Sequence, residues 1–189
     1  MSPHSSALNS LSVADAQRDM RQAYLDGAPG ILVSGSAWFA ASLVCTALSP
    51  GQAVWALFIG GALIHPVSVL LLKALGRSGQ HARTNPLGAL ALTTTFWMIL
   101  SLPLAYAVSL LRIDWFFPAM LLVIGGRYLT FATLYGRRVY LAFGAALALA
   151  GYALARLDAA PATSAFTGAA IEVVFGLLIL AQARRGKAA

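Results

Sequence analysis

The sequence predicts an all-α polytopic membrane protein, with six transmembrane helices in three antiparallel hairpins and a short N-terminal amphipathic helix. Three observations predict this fold. Of the 189 residues, 59% are hydrophobic and only 10% are charged, whereas an ordinary soluble domain carries about 25% charged residues. The apolar residues come in blocks close to the roughly 20 residues that cross a bilayer. The basic residues recur between these blocks.

The N-terminal segment is polar and differs from the rest of the chain. Residues 1–11 are rich in serine, and we expect them to be disordered, with no cleaved signal peptide. Residues 12–27 predict an amphipathic helix that is cytoplasmic or interfacial. Ser12 is a candidate N-cap, and Asp15 follows at the spacing of a loose capping box. Such a helix can lie in the membrane interface. It can equally be a solvated leader that docks on the bundle.

Residues 28–189 are predicted to form the six-helix transmembrane domain. Pro29 suits an early helix position, and the turn-forming sequence Ser49-Pro50-Gly51 ends the first apolar block. An even number of spans places both chain ends on the same side of the membrane. The predicted spans are 29–48, 53–75, 87–111, 115–135, 139–157 and 164–183.

Basic residues are concentrated in alternate connections between the spans. Two of them, Arg112 and Arg156, lie on one predicted side, and Arg127 lies within a span. The positive-inside rule therefore places both termini in the cytoplasm. The ten basic residues of the cytoplasmic side are Arg18, Arg21, Lys73, Arg77, Arg83, Arg137, Arg138, Arg184, Arg185 and Lys187.

Small residues predict where helices approach closely. The fifth span carries an alanine every four residues from Ala142 to Ala150, which lets another helix come near. We therefore expect this span at the centre of the bundle or at the interface of a homo-oligomer. Phe58-Ile59-Gly60-Gly61 in the second span also resembles Val123-Ile124-Gly125-Gly126 in the fourth. Either an internal repeat or a chance similarity between Gly-rich spans explains this resemblance.

Three ionisable side chains fall within predicted spans: His65, Arg127 and Glu172. At ~1.5 Å per residue, each lies about 12–18 Å from the basic residues at the cytoplasmic end of its span. A charge at that depth costs about 2.5–3.5 kcal/mol on insertion scales. We therefore predict that the fourth and sixth spans are neighbours and that Arg127 pairs with Glu172. The pair is either part of a functional path or a device that fixes helix register.

Other polar side chains extend this predicted path. Pro66 follows His65 and is expected to kink the second span, so that the histidine lines a cavity. The hydroxyl groups of the third span, Thr94 among them, either line the path or bond back to their own helix. The predicted path or binding residues are therefore His65, Thr94, Arg127, Tyr128 and Glu172.

Several classes of function are not expected. The single cysteine, Cys45, excludes an intrachain disulfide, and no zinc-type Cys/His spacing occurs. No HExxH, GxSxG, Walker or GxGxxG pattern is present, so we expect no enzyme, catalytic residue, cofactor or metal site. The dispersed basic residues also argue against nucleic-acid binding. The expected partners are the lipid bilayer, a second copy of the chain, and a small ion or solute.

The run from Trp115 to Gly136, WFFPAMLLVIGGRYLTFATLYG, is the most distinctive stretch of the chain. Together with Gly60-Gly61 and His65-Pro66, it resembles a small family of uncharacterised multi-spanning proteins of the bacterial inner membrane. The resemblance covers most of the chain from about residue 15 and implies a location without an activity. The three-hairpin plan is also similar to small acid-resistance-type bacterial membrane proteins.

Two functions fit the sequence. The first is a small transporter or channel for a solute, ion or proton, with a polar site in the middle of the membrane. The alternative is a non-transporting scaffold or accessory subunit, in which the predicted pair of Arg127 with Glu172 is structural.

Overall fold

The computed structural model describes residues 11–185. Within that range the chain is all-helical and forms no strand. Residues 1–11 were predicted to be disordered, and residues 1–10 of that segment lie outside the described residues. Short 3-10 turns at Leu25–Gly27 and Ile113–Trp115 precede two of the helices. The α-helices are α1 (Val13–Tyr24), α2 (Ala28–Ala47), α3 (Pro50–Ala74), α4 (Leu87–Leu111), α5 (Phe116–Tyr135), α6 (Val139–Arg156) and α7 (Pro161–Arg185).

Six helical segments are long and apolar enough to cross a membrane. They correspond to α2 through α7, with α1 leading into the first of them. Their ends lie within three residues of the predicted spans. Long apolar runs were sufficient for this prediction, because each run is bounded by a turn or by charged residues. This chain is therefore a membrane protein with six apolar helices.

Local capping explains where several helices begin and end. The Ser12 hydroxyl accepts a hydrogen bond from the Asp15 backbone N–H at 3.2 Å, as the sequence predicted for the start of α1. The Ser49 hydroxyl does the same for the Gln52 N–H at the start of α3. Gly136 ends α5 in the left-handed conformation, which glycine adopts without strain.

The core of the bundle is built on three extensive helix contacts. α5 packs along α6, and α2 packs between α7 and α3. α4 packs on α5 and leaves most of its surface exposed. α6 and α7 also touch, but each packs more extensively on another helix. α5 and α7, the predicted neighbours, contact each other over a shorter stretch.

One end of the bundle is covered by α1, and we call it the α1 end; the opposite end is the far end. Gln17 donates to the Thr133 carbonyl at 2.7 Å, and Arg21 donates to the Tyr135 carbonyl at 2.7 Å. Asn85, before α4, donates to the Ala16 carbonyl of α1 at 2.9 Å. Through these contacts α1 packs on the end of the bundle.

Candidate functional site

The centre of the bundle contains a carboxyl group that is completely buried. Glu172 lies in the middle of α7, and its Oε1 is 3.5 Å from the Tyr128 hydroxyl of α5. Its Oε2 has no hydrogen-bond partner within residues 11–185. Ser34 of α2 lies close to both polar groups. Buried polar atoms without a partner are uncommon in folded proteins, so this carboxyl is the leading candidate for a functional group.

Tight contact between α2 and α7 buries Glu172. A Cβ built on Gly35 of α2 would lie 3.3 Å from the Cβ of Glu172 and 3.0 Å from a methyl group of Val173. A larger side chain at position 35 would separate the helices and open the centre to lipid. The glycine therefore allows the two backbones to approach closely enough to exclude lipid from the carboxyl group.

Stacked aromatic rings hold Tyr128 in position. Its ring stacks on Phe143 of α6, with centroids 4.1 Å apart, and Phe143 stacks in turn on Phe175 of α7 at 4.8 Å. Tyr140 of α6 lies beside this pair, with its ring centroid 6.4 Å from those of both Tyr128 and Phe143. Tyr128 and Phe143 are both almost fully buried. This packing fixes the direction of the Tyr128 hydroxyl toward α7.

Arg127 does not form the predicted pair with Glu172. No nitrogen of Arg127 lies within 4.0 Å of a carboxylate oxygen in the described chain. Its guanidinium instead donates to Thr95 Oγ1 at 3.2 Å and to the Met98 sulfur at 3.3 Å, both on α4. Successive residues point about 100° apart around a helix. With Tyr128 turned toward α7, Arg127 therefore turns toward α4.

The half-buried guanidinium of Arg127 is only partly satisfied. Its central carbon lies 5.4 Å from the centroid of the Phe131 ring, a cation–π contact. Its Nε is buried and has no hydrogen-bond partner among the described residues. Two weak acceptors and an aromatic face therefore replace the carboxylate that the sequence predicted.

The other predicted path residues lie apart from this centre. His65 is on the exposed surface of α3, and that helix continues through Pro66 without interruption. Thr94 is buried, but its hydroxyl donates to the Ala91 carbonyl of its own helix at 3.0 Å. The structure thus brings together Tyr128 and Glu172 alone of the five predicted residues.

A family comparison covers all of these residues. The model of a family of unknown function, DUF7010, matches residues 13–182. The chain belongs to the DUF7010 family. This DUF7010 match starts at the first residue of α1 and ends in the last turn of α7, so the helices that form the centre all lie inside it. No curated protein and no solved structure matches the chain.

The DUF7010 chain contains a second polar centre that the sequence reasoning missed, between α1 and α2. The Asp26 side chain is buried, and its carboxylate accepts hydrogen bonds from Arg137 at 3.0 and 3.3 Å. The Tyr140 hydroxyl donates to the Asp26 carbonyl. Leu25, Asp26 and Gly27 all have positive φ, of 50°, 53° and 81°. Two consecutive non-glycine residues in this region are strained, and such strain is often found at functional sites.

The sequence carried one signal for this second centre. Asp26-Gly27 stands directly before the first apolar block, and Asp-Gly is a frequent turn sequence. The predicted amphipathic helix of residues 12–27 includes Asp26, and nothing local in the sequence indicates a partner 111 positions away. Residues 11–185 of this DUF7010 chain contain no group of three or more His, Cys, Asp or Glu side chains placed to hold a metal ion.

Proposed function

We propose that this chain moves a proton or a small ion across the bacterial inner membrane through a site formed by Glu172 and Tyr128. The observation that carries the proposal is the buried carboxyl of Glu172, which has one oxygen without a partner in the described range. Ionisable groups inside transmembrane helices commonly mark ion pathways and proton relays.

The position of Glu172 along α7 supports a role in the middle of the membrane. It lies eleven residues after Pro161 and thirteen before Arg185, which is about 16 Å and 20 Å at a rise of ~1.5 Å per residue. Both distances place it near the midplane of a hydrocarbon core about 30 Å thick. A site at this depth lies about equally far from the two faces of the membrane.

The surroundings of Glu172 favour a small species over an organic solute. Tyr128, Phe143 and Phe175 stack against one another beside the carboxyl. The Gly35 contact brings the backbone of α2 against α7 on the other side. A bulky solute would have to displace these packed rings, whereas a proton needs only a chain of polar groups.

The alternative function, a scaffold or accessory subunit, loses its main support in this geometry. It relied on a structural ion pair between Arg127 and Glu172, which is not formed among the described residues. The residues that do hold the bundle together at this level are aromatic rings and glycines. Glu172 is therefore better explained by transport than by architecture.

The proposed orientation places the α1 end in the cytoplasm. Arg137 and Arg184 both lie at that end, whereas Arg112 lies at the far end within 4.0 Å of two aspartates, Asp114 and Asp158. The positive-inside rule then gives cytoplasmic termini, with α1 on the cytoplasmic face. The six spans would form three antiparallel hairpins. A fluorescent-protein fusion at the C-terminus should fluoresce in cells, and an alkaline phosphatase fusion there should be inactive.

Ion movement by the purified protein tests the function directly. Proteoliposomes would be assayed for movement of protons, sodium, potassium and chloride under imposed gradients. We expect movement of one of these ions above empty vesicles, and its loss in Glu172→Gln. Asp158→Asn is the matched control, because Asp158 is an exposed carboxylate whose left-handed backbone asparagine tolerates. Movement no faster than in empty vesicles for every ion would overturn the proposal.

A further inference from the structure

Buried polar side chains follow one face of α2 between the centre and the far end. Ser34, Trp38 and Ser42 are spaced four residues apart and therefore point the same way. All three side chains are buried against α7. The Ser42 hydroxyl donates to the Ala162 carbonyl near the start of α7, at 3.0 Å. A polar face on a membrane helix is unexpected unless it meets another polar face.

The facing surface of α7 carries the matching polar groups. Ser164, Gly168 and Glu172 have the same spacing of four residues, and both polar side chains are completely buried. A Cβ on Gly168 would lie 2.7 Å from the Trp38 ring, so the two faces are in direct contact. We call the set Ser34, Trp38, Ser42, Ser164 and Glu172 the α2–α7 seam.

The α2–α7 seam contains most of the unpartnered polar atoms of the described chain. Four buried side-chain polar atoms lack a hydrogen-bond partner in residues 11–185, and three of them belong to the seam: Trp38 Nε1, Ser164 Oγ and Glu172 Oε2. Buried polar groups without a protein partner are usually satisfied by ordered water. The seam extends about 12 Å from Glu172 to Ser164 at ~1.5 Å per residue.

A second set of buried polar side chains lies between Glu172 and the α1 end. Tyr128, Tyr135 and Tyr140 are buried in one aromatic stack, in which Tyr140 lies 6.4 Å from Tyr128 and 5.5 Å from Tyr135. We call these three residues the tyrosine cluster. At one end of the cluster the Tyr128 hydroxyl contacts the Glu172 carboxyl. At the other end the Tyr140 hydroxyl donates to the Asp26 carbonyl. Asp26 and its partner Arg137 then reach the surface of the α1 end, where the Arg137 side chain is one-third exposed.

We propose that the transported species is the proton, and that it crosses along the α2–α7 seam and the tyrosine cluster, which meet at Glu172. This inference rests on the transport function proposed above and names its substrate and route. Water bound at Trp38 Nε1 and Ser164 Oγ links the far end to Glu172. The Glu172 carboxylate takes up a proton from this water, which regains one from the far end. The carboxyl then gives a proton to the Tyr128 hydroxyl oxygen, while Tyr128 passes its own proton through water beside the tyrosine hydroxyls to the Asp26 carboxylate, which releases it at the α1 end. Every group therefore returns to its starting form in each passage.

The chemistry of the α2–α7 seam selects the proton over a metal cation. A dehydrated cation in a membrane is held by several oxygen ligands at once, as in the carbonyl rings of channels. Trp38 offers the seam only an N–H donor, which cannot coordinate a cation. Hydroxyl groups and water, in contrast, both donate and accept hydrogen bonds, as proton transfer requires.

Proton flux in proteoliposomes, read with an internal pH-sensitive dye, tests the route. Ser164→Ala and Trp38→Phe each remove one polar group and keep most of the packing. We expect each to lower proton flux roughly tenfold, the factor that corresponds to losing about one hydrogen bond in the path. Tyr140→Phe should lower it similarly from the α1 side. Each variant is first shown to elute from size-exclusion chromatography like the wild type, and any one of them that folds suffices for the test.

Matched controls lie on the same two helices. Ser36→Ala and Thr167→Ala remove exposed hydroxyls that bond only to their own helices, to the carbonyls of Leu32 and Thr163 at 2.9 Å. Both controls should transport protons at the wild-type rate. If the controls reduce flux as much as Ser164→Ala and Trp38→Phe do, the seam has no special role and the route is overturned.

The outcomes separate this inference from the function on which it rests. Wild-type flux in Ser164→Ala and Trp38→Phe, together with lost flux in Glu172→Gln, overturns the route and leaves transport at Glu172 standing. Movement of sodium or potassium in place of protons overturns the choice of substrate alone. If no ion moves in wild-type vesicles, both proposals fall.

Bound water gives a readout that does not depend on transport. X-ray radiolysis of the intact protein in detergent generates hydroxyl radicals from ordered water and oxidises the side chains beside it. We expect oxidation of buried Trp38 in the wild type and at least a threefold decrease in Ser164→Ala, with exposed Trp97 labelled equally in both. Unlabelled Trp38 in the wild type would show that the seam holds no water and would overturn the route.

Discussion

The Tyr128 hydroxyl lies 3.5 Å from the Glu172 carboxyl at the centre of the bundle. This contact joins α5 to α7, whereas the preceding residue, Arg127, joins α5 to α4. The two polar groups of α5 therefore serve different interfaces. The distance is longer than an ordinary O–H···O hydrogen bond, so the carboxyl is oriented by Tyr128 without being fully satisfied.

Tyr128→Phe should weaken the bundle slightly and the proposed transport strongly. The phenylalanine ring keeps the stack on Phe143 but removes the partner of Glu172 Oε1. We expect the free energy of unfolding to fall by about 1 kcal/mol, the lower end for an unsatisfied buried acceptor. Thermal unfolding in detergent and proton flux in vesicles measure the two effects. Tyr152→Phe, on the exposed surface of α6, is the control and should change neither.

Arg127→Met and Glu172→Gln should have additive effects on stability. Residues of a close ion pair show coupling in a double-mutant cycle, whereas Arg127 and Glu172 contact different helices. We expect a coupling energy below about 0.5 kcal/mol in thermal or denaturant unfolding. Arg127→Met alone should be neutral or stabilising, because it replaces a half-buried cation that lacks a carboxylate partner in residues 11–185. A coupling of several kcal/mol would restore the ion pair that the sequence suggested.

Neighbouring glycines of α5 should respond in opposite ways to alanine. A Cβ on Gly125 would lie 2.8 Å from the Gly144 carbonyl oxygen and 3.0 Å from the Ala148 nitrogen, so Gly125→Ala must push α6 away. We expect it to lower the free energy of unfolding by about 1–3 kcal/mol, as overpacking does. Gly126 has open space around its position. Gly126→Ala should be neutral or stabilise by up to about 1 kcal/mol through helix propensity. Equal effects in unfolding experiments would contradict this contrast.

The two glycines of the similar segment in the second span show the same difference in packing. A Cβ on Gly60 would lie 2.7 Å from the Ala37 side chain, whereas Gly61 has open space, like Gly126. In each pair the first glycine faces a neighbouring helix and the second faces outward. The sequence showed the likeness of the two segments. It did not show which glycine is packed, because that depends on how each helix is rotated in the bundle.

The sequence predicted the helices well because hydrophobic runs and charged boundaries are local. It also identified Glu172 as the deep carboxyl, since depth follows from counting residues along a helix. It failed for the partner of Arg127 and for the exposed position of His65, because both depend on helix rotation. It missed Asp26 and Arg137, whose contact joins distant parts of the chain through a strained turn.

Asp26→Asn should loosen the attachment of α1 to the bundle. Asparagine tolerates the left-handed backbone at position 26 but removes the charge that pairs with Arg137. We expect a loss of about 2 kcal/mol, less than the roughly 3–5 kcal/mol for breaking a fully buried pair, because Arg137 is one-third exposed. Thermal unfolding measures the loss, and faster proteolysis of α1 should accompany it. Asp15→Asn breaks an exposed pair with Arg18 and should cost under about 1 kcal/mol. Equal losses in the two variants would show that the Asp26 contact does not hold α1 in place.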